Sequence, residues 1–492
     1  MSRVLLVSTY ELGAQPLGLA WPAAELTRAG HEVRSVDLAV EPWPAADVDW
    51  AQAAAFSVPM HTALRLALAA IDRLRATRPG VPVALYGLYA PVAAATGVLG
   101  EGDLAVAGET GAALAGWLAG NGPAGRPEAA AIDLGQARAT GADGVVLPRR
   151  AGLPGLEAYA RLVTADGDVL VGTVEASRGC NHRCRHCPVP VVYAGRSRAV
   201  PEESVLADVD GLVTAGAGHV RFADPDFLNR PTHALRVARG LHARHPGVTF
   251  DATIKVSHLL RHRDVVAELA TLGLVFVVSA FESTSDTVLR RLDKGHTGPD
   301  AGRAVAELRE VGVEIRPSLL PFTPWTRRQD LVDIVDFVAA FDLVSNVDPV
   351  QYSIRLLIPP GSLVLDADDP VLARRLGGFD AALLSYRWSA EDPLLDELQA
   401  ELAARTELAA ETAEPVATTY AAVRALVFTR LGRRDPGPPE PVATRGPDPA
   451  RRPHLSEPWF CCAEPTRHQL AGVGAAPVTF GPCPSPTTRT SG

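Results

Sequence analysis

The 492 residues predict an α/β protein: a doubly wound parallel sheet, a parallel βα barrel or three-quarters of one, a helical extension and a loose tail. Three observations predict this. Short apolar runs alternate with helical patterns over residues 1–120, a second such alternation occupies 166–365, and proline and glycine crowd the segments between and after them. Strand and helix patterns alternating at this length indicate parallel strands joined by crossover helices.

In the first alternation, "RVLLVS" (3–8) reads as a buried strand and "PLGLAWPAAELTRAG" (16–30) as a helix closed by Gly30. The strands "EVRSVDL" (32–38), "AAAFSVP" (53–59), "VPVALYG" (81–87) and "DLAVAG" (103–108) follow, with a helix over "TALRLALAAIDRLRATR". Ligands of such folds sit outside the carboxyl ends of the strands. Here those ends carry "STYELGAQ" (8–15), "GLYAP" (87–91) and "GET" (108–110). Residues 121–165, rich in Ala, Gly and Pro, read as a linker between domains. The second alternation offers six strands: 171–177, 219–224, 248–256, 274–282, 313–320 and 350–358. Helical patterns such as "EESVLADVDGLVTAG" (202–216) and "HLLRHRDVVAELATLG" (258–273) lie between them, as a partial (βα)6 barrel requires. Reactive groups of βα barrels lie on the loops after the strands, and each notable polar cluster of this region falls there. Residues 366–432 read as a helical extension. From 433 to 492, "RRDPGPPEPVATRGPDPARRP" and a Ser/Thr/Pro/Gly end read as a flexible, disordered tail, because proline removes donors and fixes φ.

A net charge of −9 argues against broad nucleic-acid or anionic-membrane binding, both of which rely on positive fields. No apolar run approaches the roughly 18–20 residues of a membrane helix. The longest, "LGLVFVVSAF" (272–281), has strand length, and "MSRVLLVSTYEL" is broken by Glu11 with no cleavage site after it. The expected location is cytoplasmic. Cysteines 180, 184, 187, 461, 462 and 483 are too few for a disulfide scaffold in a chain this long; in a reducing compartment they read as metal-binding or catalytic.

Cys180, Cys184 and Cys187 stand in "SRGCNHRCRHC" (177–187), a CxxxCxxC spacing directly after the first barrel strand. Three thiolates suit a soft metal or an iron–sulfur cluster. Structural zinc would need a fourth protein ligand, which His182 or His186 could supply. On a 4Fe-4S cluster three cysteines leave one iron open to a substrate or cosubstrate, and a barrel mouth is where such a vacancy has a use.

CxxxCxxC after a strand that opens a βα barrel resembles the radical S-adenosylmethionine (SAM) enzymes. "CPVPVVYAGRSRAVPEESVLADV" (187–209), "FADPDFLN" (222–229) and "SAFESTSDTVLRRLDKGHT" (279–297) are similar to the loop, acidic turn and Glu-Ser motif of members with an amino-terminal cobalamin-type domain. "WFCCAEP" (459–465) looks like the terminal motif of the CUAEP/CCAEP-tail radical SAM proteins, some of which carry selenocysteine at the second position. One departure is His186, where an aromatic residue usually packs near adenine.

The resemblance implies a Rossmann-like, cobalamin-binding-type domain before a radical SAM barrel. It also implies a 4Fe-4S cluster on Cys180, Cys184 and Cys187, and SAM chelated to the open iron. One electron from a low-potential donor of the flavodoxin or ferredoxin type splits the sulfonium to a 5′-deoxyadenosyl radical, which takes hydrogen from a small-molecule or peptide substrate. By position, Asp224 and Asp226 are expected to meet the SAM ammonium, and Glu282 and Ser283 its ribose or methionine end. Lys255, Arg316 and Arg355 are expected to meet a carboxylate. The DxHxxG motif that supplies an axial histidine to cobalamin is absent, and His31 in "AGHEV" reads as a structural turn residue. Cobalamin present implies methyl transfer; cobalamin lost leaves a lid and a different reaction. Cys461 and Cys462 are neighbours whose Cα atoms lie about 3.8 Å apart, below the usual ~4.4 Å minimum for a disulfide. They read as a catalytic, redox-active or metal-capturing pair. Two other classes stay open: an iron–sulfur electron carrier and a zinc-stabilised binding protein.

Overall fold

The structure, a computed structural model, describes residues 1–120, 147–442, 446–460 and 462–474. In the amino-terminal domain β1 (Arg3–Ser8), β2 (Glu32–Asp37), β3 (Ala53–Ser57), β4 (Val83–Tyr86) and β5 (Leu104–Val106) form one parallel sheet in the order β2-β1-β3-β4-β5. β3 is buried at every position, as a parallel strand covered on both faces by helices must be. The strand order reverses between β1 and β3, so the loops after Ser8 and Ser57 diverge and open a crevice at the carboxyl edge.

The second domain begins with an antiparallel hairpin of β6 (Arg161–Thr164) and β7 (Gly167–Val174). A short ladder of β8 (Ser177–Gly179) and β9 (Ser197–Ala199) brackets the cysteine loop. β10 (His219–Phe222), β11 (Thr249–Thr253), β12 (Leu274–Glu282) and β13 (Glu314–Leu319) then continue β7 as five parallel strands of a curled half-barrel. The expected sixth strand, 350–358, is instead a 3₁₀ turn at Pro349–Ser353 followed by one bridge between Phe322 and Arg355. Pro349 has no N–H to give a ladder, and the Gln351 side chain accepts from the Leu319 N–H in place of backbone pairing. In the carboxyl-terminal extension the helices Pro393–Glu411 and Val416–Arg430 form as expected. Ahead of them the expected helical character gives way to a hairpin, β14 (Leu376–Asp380) and β15 (Ser385–Trp388). Its turn is set by the Asp380 carboxylate, which accepts from the N–H groups of Ala382 and Leu383.

The expectation of a disordered tail is corrected over the described residues between 446 and 474. β16 (His454–Leu455) pairs antiparallel with β6 and ends the seven-stranded sheet. Arg452 is buried and donates to the Asp342 carboxylate and the Asn346 Oδ1. The helix Arg467–Val473 packs Leu470 and Val473 into the amino-terminal core. Proline limits regular structure here but does not prevent docking: much of the backbone is pinned through side chains. Trp459 packs against the hydrophobic cores of both domains. Of the expected linker, 121–146 lies outside the described residues. Arg150, beyond it, ties the domains together by donating to Asp208, to the Thr173 carbonyl and to Gln15. Among the described residues no helix is long and apolar enough to cross a membrane.

Candidate cluster and cofactor site

The cysteine loop leaves the barrel mouth just beyond β7. Gly179, at φ +75°, sets its entry: a Cβ there would lie 2.3 Å from the Arg196 carbonyl oxygen, so only glycine fits. Cys184 is buried, Cys180 and Cys187 are partly so, and none is in a disulfide. Burial pushes the Cys187 thiol up to about 12 and raises that of Cys180. Lys255 Nζ donates to Cys184 Sγ at 3.5 Å, and buried Lys294 adds a second cation nearby. Asn229 Oδ1 accepts from Cys180 Sγ at 3.7 Å and from the Asn181 N–H at 3.0 Å, holding the start of the loop. Three unpaired thiols on one loop beside two ammonium groups fit a thiolate-ligated cluster, whose iron replaces the protons that burial otherwise retains. A zinc reading needs His182 or His186 as fourth ligand, yet both face carboxylates: His186 Nε2 lies 3.0 Å from Glu282 and His182 Nε2 3.3 Å from Asp226.

The other expected residues are placed as follows. Asp224 lines the interdomain cavity, but its two oxygens accept from the Ala176 N–H at 2.9 Å and the Ser177 hydroxyl at 2.5 Å, so it braces the entry to the cysteine loop. Burial pushes its carboxyl up to about 7. Glu282, in left-handed backbone at φ +64°, accepts from Lys294 Nζ at 3.0 Å, and the Ser283 hydroxyl accepts from the Ser285 N–H. Lys255 stands at the cysteines themselves. Arg316 is matched by Asp348 at 2.6 Å. Arg355 is matched by Asp396 and stacks 3.5 Å over Trp388. Neither arginine reaches the cysteines through these contacts. Cys461 lies outside the described residues. Cys462 is partly buried against the barrel core.

A cavity of about 380 Å³ separates the domains. Glu11, Ser57 and Tyr86 line it from the parallel sheet, and Glu175, Arg178 and Asp224 from the barrel. Arg178 spans the seam, donating to Glu175 at 2.8 Å and to Glu109 at 2.7 Å while stacking on Trp21. Arg198 also reaches Glu109. Sequence reading missed this clamp because Arg178 and Glu109 are 69 positions apart and no local pattern marks either. Glu11 is partly buried, accepts from the N–H groups of Leu17 and Gly18, and is pushed up by desolvation to about 8. The loop 9–15 holds no histidine, while Gly18, Gly87 and Gly108 present backbone to the cavity. No histidine is among the described residues lining the cavity, and its glycines would leave room for a flat macrocycle such as a corrin.

Residues 174–338 match the family model of the radical SAM superfamily. The tRNA-2-methylthio-N(6)-dimethylallyladenosine synthase of Syntrophobacter fumaroxidans is 30% identical over 165 residues, 30% of this chain and 34% of that protein. The chain thus spans about a third of the length of this curated relative. The cobalamin-dependent SAM radical enzyme OxsB, solved with aqua-cobalamin and SAM bound, superposes with a TM-score of 0.64 at 14% identity, over 83% of this chain and 66% of that one. The radical SAM methyltransferase TsrM from Kitasatospora setae, with cobalamin and a 4Fe-4S cluster bound, superposes with a TM-score of 0.54 at 18% identity, over 69% of this chain and 70% of that one. At such identities the likeness is one of fold. Residues 174–338 therefore form a radical SAM domain, set behind a parallel-sheet domain in the architecture of cobalamin-dependent radical SAM enzymes.

Proposed function

We propose that the chain is a radical SAM enzyme acting in the space between its two domains. The observation that carries this is the cysteine loop. Three free thiols sit beside Lys255 and Lys294, on a segment whose flanks, Ser177–Gly179 before and Val189 after, line the interdomain cavity. When bound there, a 4Fe-4S cluster supplies the electron that cleaves SAM to methionine and the 5′-deoxyadenosyl radical. Cys180, Cys184 and Cys187 are the proposed ligands. Lys255 and Lys294 offset the negative charge of the thiolates. Asp224 positions the loop. Glu282 and Ser283 are the proposed contacts to the polar end of SAM, with His186 orienting Glu282. The Arg178–Glu109 clamp keeps the parallel sheet over the barrel mouth, which limits water at the reacting centre.

Cobalamin is the proposed second cofactor, where it would supply a methyl group. The glycine-lined wall and the fold likeness to two cobalamin-bound enzymes support that reading. The substrate is then a small molecule or peptide that receives the methyl group, and the electron comes from a flavodoxin- or ferredoxin-type donor. We place the protein in the cytoplasm, where free thiols of this kind persist. Cys461 and Cys462 are proposed as a redox-active or metal-capturing pair.

Anaerobic purification tests the central reading. It predicts absorbance near 400 nm, about four irons per chain, and 5′-deoxyadenosine on adding dithionite and SAM. Serine at any of the three cysteines is expected to remove both colour and product. Colour without 5′-deoxyadenosine would instead show an electron carrier. Reconstitution with hydroxocobalamin, read as one corrin retained per chain, tests the second cofactor.

A further inference from the structure

We propose that His182, Asp226 and His258 form a mononuclear site for a divalent transition-metal ion of the zinc type, distinct from the cysteine ligands. The three side chains come from different elements. His182 lies in the loop between Cys180 and Cys184, Asp226 in the turn after β10, and His258 in the helix Val256–Arg261 after β11. Asp226 Oδ2 is 2.8 Å from His258 Nδ1 and 3.3 Å from His182 Nε2, and all three atoms lie within 4.8 Å of one another.

The two separations from Asp226, 2.8 and 3.3 Å, are close to those of ligands round an ion. Donors held about 2.0–2.1 Å from a metal in tetrahedral or octahedral array stand roughly 2.9–3.4 Å from each other. Asp226 is 2% exposed and His258 6%, and the facing atoms of all three residues are buried without a well-directed hydrogen bond among the described residues. Close contact without hydrogen-bond alignment leaves these atoms only partly satisfied; a cation between them satisfies all three at once. The second Asp226 oxygen already accepts from the Leu228 N–H at 3.2 Å, which aims Oδ2 at the imidazoles.

Two imidazoles and one carboxylate select zinc or ferrous iron rather than a soft ion. Three protein ligands leave at least one position open, on the side where the His182 side chain is 21% exposed. The ion would tie the cysteine loop to the ends of two barrel strands. Asp226 is thereby assigned to this site rather than to the SAM ammonium.

The test uses the full-length protein with Zn²⁺ as the probe. Anaerobic protein reconstituted with iron and sulfide, then given Zn²⁺ and desalted, is expected to keep one zinc per chain beside its iron. Its zinc X-ray absorption should show nitrogen and oxygen neighbours only. Asp226→Asn and His258→Gln should each lose the zinc while keeping absorbance near 400 nm. A Cys180→Ser/Cys184→Ser/Cys187→Ser variant, which cannot hold the cluster, should still bind one zinc, so failure of the cluster reading and failure of this one are told apart. No retained zinc, sulfur among its ligands, or zinc surviving both Asp226→Asn and His258→Gln would overturn the site. The X-ray absorption of the unaltered protein decides the matter even if a variant does not fold.

Discussion

His186 Nε2 lies 3.0 Å from Glu282 Oε1, the oxygen that also accepts from Lys294 Nζ at 3.0 Å. The residue preceding the third cysteine thus joins the buried Lys294–Glu282 pair, reaching 96 positions along the chain. Burial alone would raise the Glu282 carboxyl; Lys294 and then His186 outweigh it and hold it far below the usual carboxylate range. Glu282→Gln is expected to cost about 3–5 kcal/mol, because buried Lys294 loses the carboxylate it pairs with. His186→Phe keeps the Lys294–Glu282 pair and should cost less. Denaturant unfolding of the three proteins at pH 7 checks the order. Because the folded-state value is depressed, the stability owed to Glu282 is present above about pH 4.5 and is lost on acidification below it.

A second pH effect has the opposite sign. Burial pushes Glu11 up to about 8 and Asp224 up to about 7, so both hold protons in the folded chain that the unfolded chain has released. Between about pH 6.5 and 8 the native state therefore binds more protons than the unfolded state, and stability falls as pH rises. Thermal unfolding at pH 6.5 and pH 8 should show the loss. Glu11→Gln should flatten it; an equal slope in that variant would show that Glu11 is not the source.

Gly179→Ala tests how the cysteine loop is launched. The added methyl meets the Arg196 carbonyl at 2.3 Å in backbone that disfavours alanine, so the loop must shift. Iron incorporation is expected to fall sharply while far-UV circular dichroism stays near that of the unaltered protein. Full iron content in the variant would count against the geometry.

The docked tail predicts a protease-sensitive variant. Glu464 accepts from Arg65 at 3.0 Å and lies 2.8 Å from His61, while the Thr62 hydroxyl donates to the Ala463 carbonyl. Glu464→Ala removes the charged part of this contact, a loss of about 1–3 kcal/mol to tail docking. Limited proteolysis should then clip the chain between residues 433 and 460 faster than in the unaltered protein. Unchanged rates would mean that Trp459 and Leu470 hold the tail without Glu464.

Strand positions were legible because they depend on short-range pattern: 3–8 and 274–282 match β1 and β12 residue for residue. The sixth barrel strand misled for the same reason. "VQYSIRLLI" has a strand's apolar content, but Pro349 just before it offers no ladder N–H, and the Gln351–Leu319 contact acts across the fold. The tail misled through composition, since proline richness reports the lack of regular hydrogen bonding and says nothing of docking.

The amino-acid order by itself determined two successive βα alternations, the three-thiol loop at a strand end, and the lack of any long apolar span. Those follow from local periodicity and from chemistry carried by single residues. Only the tertiary structure decided that His186 serves Glu282, that Arg178 clamps Glu109 across the domains, that His182 meets Asp226 and His258, and that Glu464 docks on His61. Each of these unites side chains from 32 to 403 positions apart. Which partner a buried charge finds is settled by the packing of whole layers, and no window along the chain contains that information.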